Sequence, residues 1–119
     1  MKKTLVLGAS PNPDRYAYKA IESLSKHGHE VIAIGKRKGE VNGISIIQEP
    51  QPIKDIHTIA MYLSPENQKE YYNYIFSLQP QRIIFNPGTE NEELKEIAKS
   101  KGIEVVEWCV LVMLSSNNY

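Results

Sequence analysis

Residues 4–21 read TLVLGASPNPDRYAYKAI. Leu5 to Leu7 form a short, unbroken apolar run, as expected of a strand covered on both faces. The run meets Gly8 and a loop of small and turn-forming residues, Ala9 to Pro13. Asp14 is a candidate cap for a helix on which Ala17, Ala20, Ile21 and Leu24 recur at helical spacing. A strand, a tight turn and a helix N-terminus follow in order. In a parallel sheet such a junction aims first-turn amides at the carboxyl edge. The positive end of the helix dipole then favours an anion there, most often a phosphate.

Outward from this unit, Gly28 follows Lys26 and His27 as a helix stop, and Val31–Ile34 is a second strand. The separation suits a right-handed βαβ crossover. Asn42-Gly43 turns the chain into a short third strand, Ile44–Ile47. Pro50 and Pro52 mark residues 49–55 as loop, and Thr58–Leu63 is a fourth strand. Ser64-Pro65-Glu66 opens a helix expected to run to Leu78, with Tyr71, Ile75 and Leu78 on one face. That tyrosine-rich helix either packs on the sheet or supplies a homodimer face. Arg82–Phe85 is a fifth strand. Asn86-Pro87-Gly88-Thr89 then leads into a helix carrying Leu94, Ile97 and Ala98. Thr89 and Glu92 stand at capping-box spacing, with Asn91 as a competing cap. Ile103–Val106 is a sixth strand, Val110–Leu114 suits a helical turn or a strand, and residues 115–119 are expected to fray. The alternation predicts one α/β domain over residues 1–119, a doubly wound, mainly parallel sheet in three layers.

At 119 residues the chain has the size of one domain. Fourteen basic residues balance fourteen acidic ones, which argues against a general nucleic-acid or membrane-surface binder. A single cysteine, Cys109, cannot form an internal disulfide and fits a reducing compartment. No apolar run approaches a membrane span, so a soluble cytoplasmic protein is expected. His27, His29 and His57 fall near the amino edge of the predicted sheet, the wrong end for catalysis in this fold. Cys109 reads as a small core residue, and Trp108 as packing or a surface anchor. No cluster has metal-ligand spacing and no Tyr-x-x-x-Lys pair occurs. These features favour a binding module over an enzyme.

Ligands of doubly wound sheets lie beyond the carboxyl strand ends, where strand order reverses. That rule nominates Gly8-Ala9-Ser10, Gly35-Lys36-Arg37, Leu63-Ser64 and Asn86-Pro87-Gly88. The first loop is not a dinucleotide G-x-G-x-x-G, because Ser10 and Pro13 replace the second and third glycines. Its backbone amides from Gly8 to Ser10 are nonetheless expected to be free for a diphosphate. An NAD site would place a carboxylate after the second strand, whereas this chain has Lys36, Arg37 and Lys38. Cations there suit an adenosine carrying an extra phosphate. NADP, with a 2′-phosphate, and coenzyme A, with a 3′-phosphate, both qualify. An interaction module with a vestigial nucleotide site is a third reading.

Several segments together resemble the small stand-alone CoA-binding protein family, relatives of the Rossmann-like CoA-binding domain of the succinyl-CoA synthetase alpha subunit. They are Gly8-Ala9-Ser10 with Arg15-Tyr16, Gly28-His29-Glu30-Val31, Val41-Asn42-Gly43, Leu63-Ser64-Pro65, Asn86-Pro87-Gly88, and Gly102 to Val106 with Cys109. The resemblance covers nearly the whole chain. It implies a coenzyme A or acyl-CoA ligand, with Gly8, Ala9, Ser10 and Arg15 at the phosphates and Gly35 and Lys36 near the adenosine. Tyr16, Arg37, Ser64, Asn86 and Gly88 complete the expected cofactor-binding set. The chain departs from the family at Gly35-Lys36, where many relatives have Asn-Pro. It departs again after the fifth strand, where Trp-x-Gln-x-Gly is common. A free thiol at Cys109 would permit a mixed disulfide with the coenzyme.

Overall fold

The computed structural model describes all residues, Met1–Tyr119. β1 (Thr4–Leu7), α1 (Tyr16–Lys26) and β2 (Val31–Ile34) form the expected crossover unit. β3 (Glu40–Val41) and β4 (Ile44–Ile47) follow, then β5 (Thr58–Met61), α2 (Pro65–Gln68) and α3 (Tyr72–Ser77). β6 (Arg82–Phe85), α4 (Glu92–Ser100), β7 (Glu104–Glu107) and α5 (Val110–Ser115) complete the chain. The sheet order is β3-β4-β2-β1-β5-β6-β7, parallel except for β3. Strand order reverses at β1, whose neighbours are β2 on one side and β5 on the other.

The two sheet faces bury separate cores. Alternation along each strand divides them: Val6, Ala33, Ala60 and Ile84 face α1 and α5, while Leu5, Leu7, Ile59, Ile83 and Phe85 face α3 and α4. All four residues of β1, β5 and β6 are buried, the burial of central parallel strands.

Local differences from the sequence expectation have local causes. Asn42 and Gly43 both hold positive φ, 52° and 82°, and make a hairpin turn that pairs β3 back on β4. The sheet therefore gains an antiparallel edge strand. Arg15, not Asp14, occupies the N-cap of α1; Asp14 is held in the preceding turn, its N–H donated to Asn12 Oδ1 at 3.0 Å. Asn91 caps α4 by accepting the Leu94 N–H, and Thr89 instead donates its hydroxyl to the Asn86 carbonyl at 2.7 Å. The helix begun at Pro65 is broken by a 3₁₀ turn at Lys69–Tyr71. Ile75 and Leu78 are buried in the sheet core with Tyr71, Tyr72 and Tyr74 packed against it, and two of the tyrosines bond within the chain, Tyr72 to Glu93 and Asn91 and Tyr74 to Gln51. Val110–Ser115 is helix, and no helix is long and apolar enough to cross a membrane.

The C-terminal segment does not fray as expected. Tyr119 docks at the amino edge, its ring 4.5 Å from the buried Arg82 guanidinium and tilted against His29 at 4.8 Å. Its hydroxyl meets Thr4 Oγ1. His29 Nδ1 accepts the Lys2 N–H at 2.9 Å, a bond that requires this nitrogen to be unprotonated. Burial, then neighbouring positive charges, holds His29 below its usual pKa; burial and then Arg82 do the same at His57. Unfolded chains therefore take up more protons just below pH 6.5, the ordinary histidine value. Stability is fully present above that value and falls as pH drops toward the lowered folded values. Urea midpoints measured from pH 7.5 downward should decline below about pH 6.5, and the His29→Gln, His57→Gln double variant should flatten that decline.

Candidate functional site

A cavity of about 1210 Å³ opens along the carboxyl edge of the sheet. Segments following β2, β1, β5, β6 and β7 all line it, so it straddles the strand-order switch at β1. Gly8, Ala9, Ser10, Arg15, Tyr16, Lys36, Arg37, Ser64, Asn86 and Gly88 all stand in its wall. Of the expected residues, only Gly35 does not.

Gly35 has a packing role. A Cβ built there would lie 2.1 Å from the Ala9 carbonyl oxygen, so the β2 end and the first loop touch backbone to backbone. Gly8 is similar: its φ is 98°, and a Cβ would lie 2.8 Å from the Tyr62 carbonyl carbon. The amides of Gly8 and Ala9 are also not free. Both donate to the Ile34 carbonyl at 2.9 Å, which pins the loop to β2. The donors left without a protein partner are the Ser10 amide and the first-turn amides of α1, Tyr16, Ala17 and Tyr18. Arg15 offers no side-chain cap to them. The unpartnered donors thus lie one turn of chain beyond Gly8-Ala9, at Ser10 and the start of α1.

Charge around the mouth is asymmetric. Arg15, Lys36 and Arg37 are exposed cations on its rim, against a single lining carboxylate, Asp14. The Lys36 carbonyl accepts from Gln48 Nε2 at 3.1 Å, which ties the basic turn to the end of β4. No histidine lines the cavity; His29 and His57 lie at the opposite edge, as the sequence indicated. No group of three or more His, Cys, Asp or Glu side chains could hold a metal ion.

Beneath the cavity lies an amide network that sequence reasoning missed. Asn86 is buried: its Nδ2 donates to the Met61 carbonyl and its Oδ1 accepts the Val110 N–H, both at 2.9 Å. One side chain thereby fixes the ends of β5 and β6 and the start of α5. Gln68, fully buried, donates from Nε2 to the carbonyls of Leu63 at 2.9 Å and Thr89 at 2.8 Å, and accepts from Asn91 Nδ2. These bonds satisfy loop carbonyls that would otherwise be buried without partners.

Residues 2–115 match the family model described as CoA binding domain. The chain belongs to this family. Among solved structures, a protein described as uncharacterized superposes with a TM-score of 0.98 at 56% identity, over 100% of this chain and 98% of that one. A hypothetical protein from Pyrococcus horikoshii OT3 aligns with a TM-score of 0.87 at 24% identity, over 97% and 82%. A conserved hypothetical protein from Pyrococcus furiosus gives 0.80 at 23% identity, over 94% and 98%. These last two show the fold alone. Catabolite control protein A of Staphylococcus aureus is 33% identical over 75 residues, and this chain spans 23% of that protein's length.

Further residues of the cavity wall come from elements whose neighbours the sequence does not disclose. Cys109 is half-buried in the cavity wall and is not a core residue, because β7 lies beside β6 and delivers it to the same edge. Leu111 and Val112 follow it on α5, and Asn67 contributes from α2, its Nδ2 donated to Ser64 Oγ at 3.0 Å. Tyr62 also lines the wall. Its hydroxyl is buried without a partner, and burial, reinforced by Cys109 and Tyr119, pushes the phenol far above its usual pKa. Trp108 is 43% exposed, the surface alternative of the two expected.

Proposed function

We propose that this domain binds coenzyme A at the carboxyl-edge cavity. The observation that carries the reading is the coincidence, at the strand-order switch, of uncapped α1 amides with three rim cations. The diphosphate sits at the Ser10 amide and the first turn of α1, with Arg15 adding charge. Lys36 and Arg37 meet the 3′-phosphate, and the adenosine lies over the end of β2. Charge-assisted contacts to phosphate are the stronger class of hydrogen bond, so these two side chains set the preference for a phosphorylated ribose. In this reading the ligand is held and not turned over. A reducing cytoplasm suits the free thiol of Cys109.

Isothermal titration with coenzyme A, dephospho-coenzyme A and NADP tests the assignment. Coenzyme A should bind at least about tenfold more tightly than the dephospho form, and the Lys36→Gln, Arg37→Gln double variant should erase that difference. Equal binding of the two forms by the unmodified protein removes the role given to Lys36 and Arg37. A preference for NADP overturns the coenzyme A reading.

A further inference from the structure

Two residues outside the cavity wall, Pro11 and Gly39, join the first loop to the basic turn. A Cβ built on Gly39 would lie 2.5 Å from Pro11 Cβ and 3.1 Å from Pro11 Cγ, so the Gly39 backbone packs on the pyrrolidine ring. Gly39 has no positive φ; what the position uses is the missing side chain and not backbone freedom. The ring is a rigid neighbour that cannot swing aside as the end of a long side chain would.

The basic turn is thereby clamped at both ends. Residues 36–38 arch between two glycines, the first packed on Ala9 and the second on Pro11. On its other side the turn is bonded to β4. The Gly35 N–H donates to the Ile47 carbonyl at 3.0 Å, the Gly39 carbonyl accepts the Ile46 N–H at 2.8 Å, and the Lys36 carbonyl accepts from Gln48. The loop that carries Pro11 is folded as closely. The Asn12 N–H donates to Ser10 Oγ at 3.1 Å, and the Asn12 carbonyl accepts the Arg15 N–H at 3.0 Å. Pro11 therefore lies between the unpartnered Ser10 amide and the start of α1.

Resting on the coenzyme A reading, we propose that the Pro11–Gly39 contact is a spacer. It fixes the separation between the amides that take the diphosphate and the cations that take the 3′-phosphate. Both are positioning residues, acting through Lys36 and Arg37. A turn already held in place has less freedom to lose when the ligand binds, so its cations discriminate more strongly. The contact thus governs the preference for a 3′-phosphorylated ribose and leaves the rest of the binding energy alone.

Isothermal titration of the full chain with coenzyme A and dephospho-coenzyme A tests the spacer through the ratio of the two affinities, which a loss of stability alone does not move. Gly39→Ala should reduce the preference for coenzyme A from about tenfold to about threefold or less, with dephospho-coenzyme A affinity kept within about twofold. Pro11→Gly withdraws the ring without inserting an atom and should lower the preference in the same way, a second measurement should Gly39→Ala not fold. In the double variant the methyl at position 39 would stand 3.8 Å from the Cα of residue 11, an ordinary contact distance. That variant should regain the preference to within about twofold of the unmodified protein. A preference unchanged in the single variants overturns the spacer and leaves the roles of Lys36 and Arg37 standing. Losses that add in the double variant overturn it as well. An unmodified protein without any preference removes the spacer together with the roles of Lys36 and Arg37.

Discussion

Gly35→Ala is expected to cost about 3 kcal/mol of stability and to abolish coenzyme A binding. The added methyl would stand 2.1 Å from the Ala9 carbonyl oxygen, so backbone must move. Neither side can yield cheaply. The Gly35 N–H donates to the Ile47 carbonyl at 3.0 Å, and Ile34 next to it receives the amides of Gly8 and Ala9. Separation of β2 from the first loop would break these bonds and tilt the start of α1, which carries the unpartnered amides. Gly28→Ala is the control. Its φ is 82° but nothing lies within 4 Å of where an added methyl would stand, so it loses only backbone preference, about 1–2 kcal/mol, and should keep ligand affinity. Urea denaturation and calorimetry on both variants separate the two cases. A Gly35→Ala protein with unchanged stability would contradict the close approach.

The second large effect is expected at Asn86. Asn86→Ala leaves the Met61 carbonyl and the Val110 N–H buried without partners, at about 1–3 kcal/mol for each orphaned group. The affected groups join β5, β6 and α5, so the damage is directed at the cavity's far wall. Amide exchange at Val110 should accelerate by more than the global loss of stability accounts for, and residues 109–112 should lose protection together. If exchange at Val110 follows global unfolding alone, Asn86 does not pin α5.

The crossover unit, the doubly wound class and the edge that carries the cavity are legible because they rest on local pattern. Gly8 after an apolar run and the basic turn after Ile34 are each readable in a few residues. Other features depend on which strands become neighbours. Gly35 packs backbone to backbone on Ala9, a contact that a sequence cannot tell from one made to a ligand. The same ignorance left Gly8 and Ala9 as free donors, when the Ile34 carbonyl takes both amides. Cys109 reached the cavity only because β7 pairs with β6. The β3 strand is two residues long, too short to carry a period, and its one signal was the Asn42-Gly43 turn. Thr89 lost the cap to Asn91 because the Asn86 carbonyl offered its hydroxyl a partner first. Tyr119 docks through Arg82 and His29, which lie far away in sequence.

A titration of ¹⁵N-labelled protein with coenzyme A, followed by backbone amide shifts, tests the central claim most directly. The largest saturable shifts should fall on Ser10, Tyr16, Ala17, Lys36 and Arg37. No saturable shift, or shifts confined to the amino edge around Lys2, Arg82 and Tyr119, would contradict a coenzyme held at the carboxyl end of the sheet.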